Sequence, residues 1–210
     1  MRLSAPVILA SGSPRRLELL REIFPDFEVL VSNVDEEALT VSDPYATAES
    51  LAQAKARAVL KLRPDALVIG GDTVVAVPDG GNFIQLSKPA SISGAEQMLS
   101  MLSDRTHLVI TGVCLAWKDG EDVFSDTSKV TFRTLHPKEI KRYVSCGESM
   151  DKAGGYAIQG GASSFVESLE GSISNVVGLP LEALRSALDR VLSNKKVAIT
   201  LLHSDRDSIE

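Results

Sequence analysis

The chain has 210 residues, enough for one large domain or two closely joined lobes, and 44% of them are hydrophobic against 24% charged, the balance of a globular protein with a sizeable core. Its formal net charge of -6 argues against a general nucleic-acid binder or a binder of anionic membranes, since both carry a basic excess. Two cysteines, Cys114 and Cys146, are too few for a disulfide framework or a zinc site, and no signal peptide or membrane-spanning run is visible, so a soluble cytoplasmic protein is expected.

The first apolar run, 7–10, reads as a buried strand. Leu17, Leu20 and Phe24 then recur at helical spacing, with Ser13 as N-cap and Pro14 as first helical residue. The turn between them is Ser11-Gly12-Ser13-Pro14-Arg15-Arg16. It offers two hydroxyls, free backbone N–H groups, a helix N-terminus and two guanidinium groups, which together make an anion site. Arginines in a first helical turn oppose the helix dipole, and a bound anion would offset that conflict. An ordinary capped helix with two solvated arginines is the alternative.

Residues 27–31 read as a second strand, running into Asp35-Glu36-Glu37. Such a charge run is either a solvated face or a carboxylate delivered to a cationic pocket or metal. A helix is expected from Asp43-Pro44 to about Leu62, ended by Pro64. Lys55 falls in the middle of its apolar stripe, where a lysine must snorkel out or meet an anion. The run 66–77 is apolar on both faces and reads as a central strand, interrupted by Asp72. A carboxylate there is costly unless paired, hydrogen-bonded or metal-bound, and Gly70-Gly71 before it allow a close approach.

A turn at 78–82 leads to a returning strand at 83–86, and Pro89 holds Lys88 extended. Ser93 and Glu96 form an expected capping box for a helix over 94–103. Two long strands, about 107–117 and 122–135, form a hairpin, and Pro137 begins a short helix. The three histidines are scattered and read as surface or capping residues. The glycine-rich run 151–161 matches neither common phosphate-binding fingerprint, and its Gln159 amide suits either a plain loop or the edge of a uracil or thymine base. A strand at 165–169, a helix starting at 178–180, a short apolar run at 197–202 and a frayed end at 203–210 complete the chain.

These residues are chemically complementary. Arg15, Arg16, Lys55 and Lys88 suit a polyphosphate, Glu36 and Asp72 suit a magnesium-type ion, and Gln159 suits a base. The residues alone therefore point to a metal-dependent enzyme acting on a nucleotide phosphate. The non-catalytic alternative is a nucleotide-binding regulator of cell division, and the nearer one is a phosphatase that releases inorganic phosphate.

Six segments carry a resemblance that spans nearly the whole chain: 9–16, Asp35-Glu36, Gly71-Asp72-Thr73-Val74-Val75, Lys88-Pro89, 151–160 and 175–181. In that order they resemble the Maf family of nucleoside triphosphate pyrophosphatases. The resemblance implies an α/β fold with a twisted mixed sheet flanked by helices, two lobes around a central cleft without an independent linker, similar to the inosine triphosphate pyrophosphatases. It implies a homodimer, and hydrolysis between the α and β phosphorus atoms of a nucleoside triphosphate. It assigns Asp72 as proton acceptor, with Glu36 beside it at the metal (Mg²⁺ or Mn²⁺), and ties Arg15, Thr73 and Gln159 to base choice. Ser11, Ser13, Arg16, Lys55 and Lys88 fall on the substrate side of the site. The paired arginines with Gln159 are more similar to the dTTP/UTP branch than to the 7-methyl-GTP branch. Ser87 before Lys88, where many members have glycine, and the second glycine at Gly155 are departures that alter loop geometry rather than charge.

Overall fold

A computed structural model describes residues 3–193, so the expected apolar run 197–202 and the end 203–210 lie outside the described residues. Seven strands form one sheet: β1 (Val7–Leu9), β2 (Glu28–Val29), β3 (Leu67–Asp79), β4 (Asn82–Leu86), β5 (Thr106–Trp117), β6 (Gly120–Phe132) and β7 (Val166–Glu170). Their order is β2-β1-β3-β5-β6-β7, with β4 also paired to β3. The contacts β2·β1 and β1·β3 are parallel and all others antiparallel, so the sheet is mixed. Six helices surround it: α1 (Pro14–Arg21), α2 (Pro44–Leu60), α3 (Ile92–Leu102), α4 (Pro137–Ser145), α5 (Ile173–Val177) and α6 (Leu181–Ser193).

The core divides along the length of β3 and β5 into separate hydrophobic clusters. At one end, Leu9, Ile69 and Leu115 pack against Leu20 and Phe24 of the α1 region and Leu184 and Leu188 of α6. On the opposite face of that end, Ile8, Val68 and Cys114 meet Ala52, Ala56 and Val59 of α2. At the other end, Val75 and Val77 pack with Leu99 and Leu102 of α3, Ile140 and Tyr143 of α4, and Phe132.

Between these clusters the sheet edge is interrupted. β1 pairs with residues 67–69 of β3, and β4 pairs with residues 75–79 of the same strand. Residues 70–74 are paired with β5 on one side and, among the described residues, with no strand on the other. Successive side chains of a strand point to opposite faces, so at such a gap both faces open onto one space. Asp72 lies in the middle of it.

Two glycines bring α2 onto the sheet. A Cβ on Gly70 would sit 2.2 Å from the Ala52 carbonyl oxygen, and one on Gly112 would sit 2.2 Å from that of Ala48. The helix therefore rides directly on the β3 and β5 backbones. Gly70→Ala forces α2 away and is expected to lower stability by about 1–3 kcal/mol. That corresponds to about 2–4 °C of melting temperature per kcal/mol in a thermal unfolding experiment.

Several local expectations are corrected. The N-cap of α3 is Ser91, whose hydroxyl accepts from Gly94 N–H at 3.0 Å, not Ser93 with Glu96. Both serines satisfy capping chemistry, and the extended backbone of Ser91 starts the helix first. The second strand shrinks to two exposed residues because it pairs only with the short β1. The helix α5, five residues long, has too short an apolar period to be read from sequence. His107 is not a surface residue. It is fully buried, its Nε2 lies 2.8 Å from the Tyr156 hydroxyl, and burial pushes its pKa down to about 4.

Candidate active site

The strand gap opens into a cleft of about 1050 Å³. Every sequence-predicted site residue lines it. The turn before α1 contributes Ser11, Ser13, Arg15 and Arg16; the β2–α2 loop contributes Glu36, and α2 contributes Lys55. Asp72 and Thr73 come from the gap in β3, Lys88 from the segment after β4, and Gln159 from the glycine-rich run.

On the α2 face, Lys55 Nζ lies 2.6 Å from Asp72 Oδ1 and 2.7 Å from Glu36 Oε1. The lysine expected in the apolar stripe thus meets two anions, and its side chain is only 11% exposed. One ammonium draws both carboxylates to a single point. Among the described residues, the ion pair and hydrogen bond of Asp72 use Oδ1, and none is formed through Oδ2. Burial alone would raise the Glu36 carboxyl, but the Lys55 hydrogen bond and charge, reinforced by Lys88 and Arg16, outweigh it and hold its pKa below the ordinary value.

On the opposite face, Arg16 is fixed by three oxygens. Its Nε donates to the Gly178 carbonyl at 2.8 Å, Nη2 to Thr73 Oγ1 at 2.9 Å and Nη1 to Ser11 Oγ at 3.2 Å. Ser13 caps α1 by accepting from Arg16 N–H, and Ser11 Oγ accepts from Ser13 N–H at 3.2 Å. A guanidinium has five N–H groups, so two remain for a ligand. Burial lowers the Arg16 pKa, an effect opposed by the nearby Asp72 charge. The guanidinium stays cationic, since arginine does not deprotonate in proteins. Arg15 and Lys88 line the same cleft, and among the described residues their side chains form no hydrogen bond or ion pair.

Sequence reasoning did not single out four contributors. Gln85 of β4 lines the cleft and donates to the Val41 carbonyl at 2.6 Å, tying down the loop that carries Glu36. Gly178 supplies the carbonyl that orients Arg16 from 162 residues away. Thr111 and Asn175 extend the Thr73 hydroxyl into the buried interior. No periodicity marks any of them, because each acts through a long-range contact.

The fold is an α/β architecture with a mixed sheet interrupted at a charged cleft. Its likeness to solved structures includes a HAM1 protein from Coxiella burnetii, at a TM-score of 0.51 and 15% identity over 89% of this chain and 99% of that one. The profile of Maf-like proteins matches residues 6–191, and the chain belongs to that family. A dTTP/UTP pyrophosphatase of Desulforamulus reducens is 45% identical over 87% of this chain and 95% of its own length. Another of the same name from Symbiobacterium thermophilum is 49% identical over 83% of this chain and 88% of its own.

Proposed function

We propose that the protein hydrolyses pyrimidine nucleoside triphosphates, dTTP and UTP, to the monophosphate and pyrophosphate. The observation that carries this reading is the convergence of Asp72 and Glu36 with Arg15, Arg16, Lys55 and Lys88 on one cleft at the strand gap. The names of the relatives, which match along most of their length, support the substrates.

The donor set fits a magnesium-type ion. Among the described residues no three or more His, Cys, Asp or Glu side chains cluster as a closed cage. Asp72 and Glu36 converge through Lys55, and one or two carboxylates completed by substrate phosphates is the usual way Mg²⁺ is held. Mg²⁺ or Mn²⁺ held there would neutralise charge on the phosphate oxygens.

The rest of the chemistry belongs to the chain. Asp72 accepts a proton from the attacking water through Oδ2. Arg16, Lys55 and Lys88 supply positive charge for the departing pyrophosphate, and Arg16 and Lys55 are held in place by their protein partners before the reaction, so they cost little reorganisation. Arg15 and Gln159 face the nucleoside end. Location in the cytoplasm fits this substrate, and no helix among the described residues is long and apolar enough to cross a membrane.

The test is a product panel. UTP, dTTP, CTP, GTP and ATP with Mg²⁺ are assayed for pyrophosphate and orthophosphate. Pyrophosphate from UTP and dTTP is expected; orthophosphate alone identifies a phosphatase, and no turnover identifies a binding protein. Gln159→Glu removes the amide donor and adds a charge, so the preference for UTP and dTTP over the other bases is expected to fall. Unchanged relative kcat/KM values across the panel would remove Gln159 from base reading.

A further inference from the structure

The hydrogen bonds behind Arg16 have only one possible direction. Thr111 Oγ1 lies 2.8 Å from the Asn175 carbonyl, which can only accept, so the single Thr111 hydroxyl proton is spent there. Thr73 Oγ1 lies 3.0 Å from Thr111 Oγ1, and that bond needs a donor. Thr73 must supply it. Arg16 can only donate, and its Nη2 gives Thr73 Oγ1 a second bond at 2.9 Å. The chain of donation therefore runs from Arg16 to Thr73, to Thr111, to the Asn175 carbonyl.

The far end is anchored. Asn175 Nδ2 donates to the Val109 carbonyl at 2.9 Å and to Ser128 Oγ at 2.9 Å. Ser128 in turn donates to the Ser172 carbonyl at 3.0 Å. Thr111, Ser128 and Asn175 are each 0% exposed, so no water can reverse the order.

Thr73 itself is only partly buried and lines the cleft. Its proton points inward and one lone pair is taken by Arg16. What remains toward the cleft is one lone pair, an acceptor. Ionised phosphate oxygens are acceptors too, and would be repelled. We infer that Thr111 is a positioning residue that fixes the polarity of Thr73, so that Thr73, already tied to base choice by the family resemblance, serves as an acceptor for a donor of the nucleoside, an N–H of the base or an O–H of the sugar. The inference rests on the nucleotide reading of the cleft.

Two substrate pairs separate the sources of the donor. UTP has the N3–H that CTP lacks, and dTTP has the 3′-hydroxyl that 2′,3′-dideoxy-TTP lacks. The wild-type protein is expected to favour the donor-bearing member of at least one pair by at least about tenfold in kcat/KM. Thr111→Val keeps the shape but removes the acceptor of the Thr73 proton, so that proton can turn outward. The favoured ratio is then expected to fall by about tenfold, while Thr111→Ser retains it. Thr73→Val is expected to lower the same ratio, and the double variant to lower it no further. Should Thr111→Val not fold, Thr111→Ala, which also removes the acceptor of the Thr73 proton, takes its place beside Thr111→Ser.

The same comparisons are made by calorimetric binding of UMP against CMP and of dTMP against its 3′-deoxy analogue. A protein that binds these selectively without releasing pyrophosphate keeps this inference and removes the proposed reaction. Ratios near one for both pairs in the wild type, or ratios unmoved in the folded Thr111→Val and Thr73→Val proteins, overturn it.

Discussion

Asp72→Asn is expected to lower pyrophosphate release from UTP by at least about a hundredfold, the usual contribution of a positioned general base. The replacement keeps the size of the side chain and an oxygen that accepts from Lys55. Lys55 also keeps Glu36 at 2.7 Å, so its charge is not stranded. The fold should therefore survive, which thermal unfolding can check. The loss falls on kcat more than on KM, since the carboxylate acts on water and on the reacting phosphorus rather than on the nucleoside. Near-normal turnover in a folded Asp72→Asn protein would take the role of base away from this residue.

Lys55→Met has the second large effect, and for two reasons. In the proposed reaction the ammonium is a cation for the leaving pyrophosphate, and removing such a group typically costs about 10²–10³-fold in rate. It also separates two carboxylates that converge on it at 2.6 and 2.7 Å. Without it, burial and the like charge of Asp72 act on Glu36 unopposed at short range. The Glu36 pKa, now held down chiefly by Lys55 against burial, rises. A carboxylate with a raised pKa loses its charge at higher pH, so the acid limb of the kcat/KM profile moves upward. A profile unchanged in position, with only the rate reduced, would mean that Lys55 serves the leaving group and not the carboxylate pair.

Much of the fold was legible because its long elements have strong periods. The strands β3, β5 and β6, and the helices α2 and α6, follow directly from alternating or helical apolar spacing and from their Pro and Asp starts. Of the short pieces, β2 was read as a strand but too long, because it exists only through pairing with the short β1, and α5 was not read, being a single short helix held by its Ser172 cap and buried Asn175. Of the site, the polar misfits were legible. Asp72 inside an apolar strand and Lys55 inside an apolar stripe were each costly alone, and the structure relieves both by pairing them. The gap between β1 and β4 was not legible, because strand spacing says nothing about where two partners share one edge. Nor was the path from Arg16 to Asn175, whose members lie far apart in the chain and become neighbours only when the sheet closes. His107 shows the same limit, since burial beside Tyr156 and Phe132 comes from tertiary packing and not from its immediate neighbours.

The central claim is that Asp72 directs water at the phosphorus next to the nucleoside while the cations across the strand gap hold the departing pyrophosphate. Turnover of UTP in ¹⁸O-labelled water reports this directly. The label is expected in UMP, with unlabelled pyrophosphate. Label in pyrophosphate, or in free orthophosphate, would contradict the arrangement.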